Sequence, residues 1–243
     1  MLPKATIIVP TLNEAGNIAS LIDRIGTVRS TISTYDLHVQ VTDASSEDGT
    51  RTIVERLART RSWLELYTPP KGNGLGDDYK RGMRHAIDHG AKVLFEMDAD
   101  HSHDPSAIPS MLEALEHADF VIGSRYVSGG SVPEHWPLKR RVISALSNIG
   151  ARSVLGLRAR DCSGGYRVMR REVIEAVDLD TLQGSGYGFQ ISLLYRASRL
   201  GYRIAEVPIA FADRTHGTSK MRLSDMVEMA YLVFTLRFGG MPR

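Results

Sequence analysis

From Ala5 to Ile122 the chain alternates short apolar runs with single-faced helical stripes, and this rhythm admits one broad architecture. Ala5-Thr6-Ile7-Ile8-Val9-Pro10 reads as a buried strand. Ile18, Leu21, Ile22 and Ile25 then fall at i, i+3, i+4 and i+7, one stripe of a helix that Gly26 closes. Leu37, Val39 and Val41 alternate with polar residues as a strand does, and Asp48 offers an N-cap to a helix carrying Ile53, Val54 and Leu57. Trp63 to Tyr67 reads as a strand, Ala86 and Ile87 lie in a helix that stops at Gly90, and Val93 to Met97 is the next strand. Ile108, Met111, Leu112 and Leu115 form a further stripe before a short strand, Phe120-Val121-Ile122. Alternating strand and helix predicts a mostly parallel sheet with helices on both faces.

The rhythm breaks at Val127-Ser128-Gly129-Gly130, and the remainder reads as less regular. No repeat or linker divides the chain. The expected organisation is one domain over 1–243, with a nucleotide-binding half (1–125), an acceptor half (126–222) and a C-terminal amphipathic helix (223–243). Net charge is +2 with both signs interspersed, so no basic field argues for a nucleic-acid partner. The one cysteine, Cys162, rules out an internal disulfide and reads as a small buried hydrophobe in a reducing, cytoplasmic setting. The opening apolar run is too short for a secretory leader, and no stretch approaches the roughly 20 apolar residues that span a bilayer. Met229 to Leu236 comes nearest. Flanked by Arg222 and Arg237, it reads equally as an interfacial helix or as a terminal helix docked on the core or a partner chain.

Chemistry concentrates at Asp98-Ala99-Asp100. Two carboxylates one residue apart, where a buried strand opens into a loop, can hold a hard divalent cation against a diphosphate. The carboxyl end of a strand is also where open α/β sheets bind ligands. A bare D-x-D is weak by itself, since aspartates are common in turns. Other segments surround it. Pro10-Thr11-Leu12-Asn13-Glu14 follows the first strand and can face a base or ribose, although a helix start alone also favours such residues. Asp43 ends the second strand and can accept from a ribose hydroxyl or a base N–H, or can simply belong to the helix-entry turn. Lys71-Gly72-Asn73-Gly74-Leu75-Gly76 is a glycine-rich loop before a helix, suited to close backbone approach, although glycines mark any flexible turn. Pro10, Leu12, Asn13, Glu14, Asp43, Lys71, Gly74 and Ala99 are therefore the expected nucleotide-binding residues.

The ordered set of these segments resembles the family 2 glycosyltransferases of the GT-A fold. The second half is similar to the dolichyl- or polyprenyl-phosphate mannose synthases. That similarity rests on Gly123-Ser124-Arg125-Tyr126, Gly129-Gly130, Trp136-Pro137-Leu138-Lys139-Arg140-Arg141, Ser144 and Asp161 to Arg167. It continues through Gly186 to Gln190, Val207-Pro208-Ile209 and Asp213 to Lys220. The resemblance implies that Asp98 and Asp100 bind Mg²⁺ or Mn²⁺ on the diphosphate of GDP-mannose, with Ser102 as a further weak ligand. It also places Arg125, Arg214 and Lys220 around the phosphates. A metal ion and preorganised cations there would stabilise the charge that grows on the departing nucleoside diphosphate. For Arg214 and Lys220 the alternative is a solvated surface pair.

A lipid monophosphate acceptor brings its own oxyanion, because a phosphate monoester has its second pKa near ~6. It needs cations to place it more than a strong base. Arg125, Arg140 and Ser144 are the expected acceptor-phosphate residues, and the i, i+4 spacing of the last two sets them on one helix face. A water-exposed basic helix start is the plainer reading of that segment. The Q-x-x-R-W motif of processive family 2 synthases is not in the sequence.

Three positions depart from the family pattern. Leu12 stands where an aromatic residue is usual, Thr42-Asp43-Ala44 carries one carboxylate in place of two, and Asp77-Asp78 replaces small and apolar residues. The expectation is a metal-dependent, inverting hexosyltransferase moving mannose from GDP-mannose to a polyprenyl or dolichyl phosphate. It would be cytoplasmic and able to sit on the cytoplasmic membrane face, and some relatives' C-terminal membrane domain could be replaced by a separate small membrane-protein subunit. Two rivals stay open. One is a glycosyltransferase with a small soluble acceptor in specialised metabolism, and the other is a non-catalytic nucleotide-binding subunit of a membrane complex. A nucleotidyltransferase leaves the Arg214 to Lys220 block without a role.

Overall fold

The computed structural model describes residues 1–72, 74–184, 187–212 and 223–239. The first half runs β1 (Lys4–Pro10), α1 (Ile18–Arg29), β2 (Asp36–Thr42), α2 (Thr50–Ala58), β3 (Leu64–Tyr67), α3 (Leu75–Asp88), β4 (Val93–Glu96), α4 (Ile108–Ala114) and β5 (Phe120–Ser124). The second half runs α5 (Leu138–Leu155), β6 (Arg167–Arg170), α6 (Arg171–Val177), α7 (Tyr187–Arg199), β7 (Ile204–Pro208) and α8 (Leu223–Phe238). It is as regular as the first, contrary to the sequence reading. The reason is visible in β6, a four-residue strand with arginine at both ends, which carries no apolar run to betray it.

One seven-stranded sheet of order β3-β2-β1-β4-β6-β5-β7 organises the molecule. β1 pairs in parallel with β2 and β4, β2 with β3, and β5 with β7, while β6 runs antiparallel to both its neighbours. Side-chain alternation sorts the strands into two cores. Ile7, Val9, Phe95 and Val121 pack with α1 and α4 residues on one face. Ile8, Leu94, Phe120 and Ile122 pack with residues of α3, α5, α6 and α7 on the other. This is the period of two expected of strands buried on both faces.

Two local readings change. Gly26 does not end α1. It lies inside the helix, where an added Cβ would stand 3.2 Å from the Trp63 ring, so its role is close packing. The α2 cap is Gly49, at φ +95°, while the Asp48 carboxylate accepts from the Thr50 N–H and hydroxyl one step into the helix. In the second half of α8, Met229, Leu232 and Val233 face the core, while Tyr231, Phe234, Arg237 and Phe238 are exposed. Among the described residues no helix is long and apolar enough to cross a membrane.

A buried ion pair crosses the sheet. Glu96 and Arg167 are register partners on β4 and β6, 4.0 Å apart and fully buried. Burial pushes the Glu96 carboxyl up to about 7 against the pull of Arg167. Arg167 also donates to the carbonyls of Gly164, Gln190 and Cys162, which ties the turn before β6 to α7. Cys162 is buried, its thiol pushed up to about 12 by burial, as an inert small hydrophobe.

Candidate active site

The sheet order reverses between β1 and β4. The chain leaves β1 outward to β2 and β3, then returns through α3 to β4 on the other side of β1. Loops leaving neighbouring strands on opposite courses open a crevice at their carboxyl ends, where ligands bind in such sheets. The Pro10 to Glu14 segment leaves β1 there, and Asp98-Ala99-Asp100 leaves β4.

The Asp98 side chain is half-buried, Ala99 and Asp100 are buried, and each carboxylate has a defined setting. Asp98 Oδ1 accepts the Tyr79 hydroxyl at 3.1 Å, and Asp100 Oδ1 accepts the Ser102 N–H at 3.1 Å. Burial, with Asp98 adding, holds the Tyr79 phenol far above its usual range, so it stays a donor. His103 is buried directly beneath. Its Nδ1 accepts the Asp98 backbone N–H at 3.0 Å, which leaves the ring proton on Nε2, 3.9 Å from Asp98 Oδ2. Burial pushes this imidazole below its usual range despite the two aspartates, which suits a neutral acceptor. The ring stacks on Tyr166 at 4.9 Å.

This donor set fits a hard divalent cation. Ser102 Oγ is buried without a hydrogen-bond partner, an oxygen of the kind such an ion takes, beside two carboxylates. Among the described residues no group of three or more His, Cys, Asp or Glu side chains forms a metal cage. Asp98, Asp100 and the Ser102 hydroxyl are the side chains here that could hold such an ion.

The β1–α1 and β2–α2 loops are sewn together. The Asn13 N–H donates to Ser46 Oγ at 2.8 Å, the Glu47 N–H to Asn13 Oδ1 at 3.0 Å, and the Glu14 N–H to Thr50 Oγ1 at 2.9 Å. Asn13 adopts φ +60°, a left-handed conformation that asparagine tolerates. Pro10 is buried at the strand end, whereas Leu12 stands 47 % exposed on this rigid platform, where an apolar side chain can pack a flat ring. Asp43 is fully buried. It accepts from the N–H groups of Ser45 and Ser46, from Arg51 and from the Thr11 hydroxyl. Burial raises its carboxyl, but these bonds outweigh that and hold it below its ordinary range. It acts as a knot between loops, and the ribose or base role expected of it would require rearrangement.

Gly74, at φ +112°, opens α3, and its carbonyl accepts the N–H groups of Asp77 and Asp78. Lys71 is exposed just before it. Gly82 sits against Ile8 and Thr42, so α3 passes over the ends of β1 and β2. One turn earlier, Asp78 has a buried Oδ1 with no hydrogen-bond partner. Burial pushes its carboxyl up to about 6, opposed by Arg81 and reinforced by Asp77 and Asp43.

On the other side of His103 lies a basic and aromatic cluster. The Arg125 guanidinium makes a bidentate pair with Asp161, at 2.7 and 2.6 Å, and also donates to Ser163 Oγ. Burial raises the Asp161 carboxyl, but Arg125 outweighs that and keeps it below its usual range. Much of the Arg125 charge is thus matched internally. Its guanidinium lies 5.2 Å from the Tyr126 ring centre, and the Tyr126 hydroxyl bonds Ser144 Oγ at 2.7 Å. Arg140 lies 3.7 Å over Trp136. Phe211 touches His103, Trp136 and Arg125 and so joins the carboxylate loop to this cluster. The structure therefore brings Asp98, Asp100, Ser102, Arg125, Arg140 and Ser144 into one continuous neighbourhood. Arg214 and Lys220 lie outside the described residues. His103, Asp161 and Asp78 are not among the expected site residues; Asp161 opens one segment of the resemblance, Asp78 lies in the Asp77-Asp78 departure, and His103 carries no such mark.

A mostly parallel sheet with one reversed strand, and paired carboxylates at its switch point, defines a GT-A type glycosyltransferase. The comparisons agree. The family model "Glycosyl transferase family 2" matches residues 6–178, and the chain belongs to that family. An undecaprenyl-phosphate mannosyltransferase of Micrococcus luteus is 42 % identical over 214 residues, covering 88 % of this chain and 86 % of its own. A polyprenol monophosphomannose synthase of Mycolicibacterium smegmatis is 38 % identical over 232 residues, covering 95 % and 85 %. Among solved structures, glucosyl-3-phosphoglycerate synthase of Mycobacterium tuberculosis, in complex with Mn²⁺, UDP and glucosyl-3-phosphoglycerate, superposes with a TM-score of 0.72. It is 19 % identical, and the match covers 99 % of this chain and 81 % of that one. That likeness supports the fold.

Proposed function

We propose that this glycosyltransferase moves mannose from GDP-mannose to a polyprenyl phosphate with inversion, using Mg²⁺ or Mn²⁺ held by Asp98, Asp100 and Ser102. The observation that carries the reading is the placement of those oxygens beside the Arg125, Arg140 and Ser144 cluster, in a chain alike over nearly its full length to the two lipid-phosphate mannosyltransferases. When bound, the metal ion would neutralise charge developing on the donor diphosphate.

The chain's own residues do the rest. Leu12, Asn13 and Glu14 form the platform for the nucleoside, and Lys71 and Gly74, ahead of α3, approach the donor. His103 and Tyr79 hold Asp98 in place from either side. Arg140 and Ser144 position the acceptor phosphate, whose oxygen is the nucleophile, so no carboxylate base is required. Arg125, neutralised by Asp161, shapes the wall between donor and acceptor through Tyr126 and Phe211. Arg214 and Lys220 complete the charge around the leaving diphosphate; their role rests on the resemblance of the Asp213 to Lys220 block. The chain works at the membrane surface, where its acceptor resides.

A panel of nucleotide sugars, each offered with and without polyprenyl phosphate in detergent, tests this reading. GDP-mannose should give organic-extractable mannose only when the lipid phosphate is present. Transfer from another donor, or to a small soluble acceptor with no lipid, would overturn it.

A further inference from the structure

The carboxylate loop turns sharply at His101, whose φ of +66° lies in the left-handed region. Side chains other than glycine keep that backbone only where their surroundings enforce it. The turn folds Ser102 back on Asp100. The Ser102 N–H donates to Asp100 Oδ1 at 3.1 Å, and Ser102 Oγ is buried without a hydrogen-bond partner. Helix α1 grips the turn from outside. His101 Nε2 lies 2.8 Å from Ser20 Oγ, and its Nδ1 lies 3.2 Å from Arg24 Nη1. Arginine can only donate, so Nδ1 accepts and the ring proton sits on Nε2, facing Ser20. The Ser20 hydroxyl in turn donates to the Asn17 carbonyl at 2.9 Å. Arg24 Nη2 donates to Asp104 Oδ1 at 2.9 Å, an oxygen that also accepts the Ser106 N–H. One guanidinium therefore holds the loop at 101 and at 104, on either side of Ser102. Ser20 and Arg24 are exposed, outside the core that α1 builds with Ile18, Leu21, Ile22 and Ile25. Packing of the helix does not call for them.

We infer that His101, clamped by Ser20 and Arg24, is a positioning residue that sets Asp100 and Ser102 for a divalent cation. The ring is not itself a ligand, because α1 engages both of its nitrogens. Tolerance of the turn does not explain it either, since glycine would adopt the same φ more easily and could not reach α1. Outer contacts of this kind fix the orientation of metal-binding side chains. The clamp also ties the carboxylates to the nucleoside platform, because Asn17 Nδ2 donates to Glu14 Oε2 at 2.7 Å on the same turn of chain. The inference rests on the metal reading of Asp98, Asp100 and Ser102 and assigns α1 a part in it.

Mn²⁺ titrated into the nucleotide-free full chain, read by loss of the free-ion EPR signal, tests the clamp. The wild type should bind the ion and Asp100→Ala should not. His101→Gly relieves the backbone and removes only the ring, yet it should weaken binding on the order of tenfold. Ser20→Ala/Arg24→Ala, which keeps His101 and should keep the wild-type circular dichroism at two exposed helix positions, should weaken it as much. The triple variant should be no worse than either, because all three break one unit. Wild-type affinity in His101→Gly or in the α1 pair, with Asp100→Ala still unable to bind, would overturn the clamp and leave the metal reading standing. Losses that add in the triple variant would overturn it as well. Equal binding by wild type and Asp100→Ala, or none by the wild type, would remove the metal reading and this inference with it.

Discussion

His103 Nδ1 accepts the backbone N–H of Asp98 at 3.0 Å, so a buried neutral imidazole fixes the start of the carboxylate loop from below. His103→Phe would keep a ring on Tyr166 but leave that buried N–H unpaired, a cost of about 1–3 kcal/mol. Thermal melting should show the loss, and the Mn²⁺ concentration giving half-maximal turnover should rise. His103→Asn, which restores an acceptor at the Nδ1 position, should recover part of the metal affinity. Unchanged metal dependence in His103→Phe would show that the bond does not position Asp98.

Arg125 and Asp161 stand or fall together. Removing one partner leaves the other charge buried, which typically costs about 3–5 kcal/mol. Urea denaturation should therefore place Arg125→Met well below wild type, and Arg125→Met/Asp161→Leu should regain much of the loss. If the two losses simply add, the pair is not the stabilising unit.

The first half of the molecule was legible because its strands and helices carry clean periods of two and 3.6. The D-x-D stood out because two acids follow at the end of the strand read from Val93 to Met97. Other features had no local signature. β6 hides its strand character behind Arg167, which can be buried because Glu96 lies opposite it on another strand and three backbone carbonyls take its N–H groups. Asp161 meets Arg125 across 36 residues, and the Asp43 knot joins Thr11, Ser45, Ser46 and Arg51 from three segments. Such partnerships arise from topology. Burial likewise decides His103, whose neighbours in sequence look like any polar turn.

Asp78 predicts a pH effect of defined sign. Its folded carboxyl lies near about 6, above the 3.8 of a free aspartate. The unfolded chain therefore releases this proton first, and the folded state loses stability as pH rises from about 4 to about 6. Asp78→Asn should remove that slope from the melting temperature and be the more stable protein at pH 7. An identical pH profile in variant and wild type would place Asp78 in water.

Lys220 is expected to act on the leaving diphosphate, so its contribution should be larger in the transition state than in the ground state. Lys220→Ala should lower kcat by on the order of 10² to 10³ while weakening GDP binding only modestly. A normal kcat would leave Lys220 as a solvated surface charge.

The most direct measurement is mannose transfer from GDP-mannose to polyprenyl phosphate by wild type and Asp100→Ala, each stripped with EDTA and then resupplied with Mg²⁺ or Mn²⁺. The wild type should lose activity on stripping and regain it with either ion. Asp100→Ala should stay inactive throughout with its fold intact, because Asp100, though buried, lies in the loop beyond β4 and belongs to neither apolar core. Wild-type turnover by Asp100→Ala, or full activity of the stripped wild type, would contradict the assignment of Asp98 and Asp100 to a metal ion on the donor diphosphate.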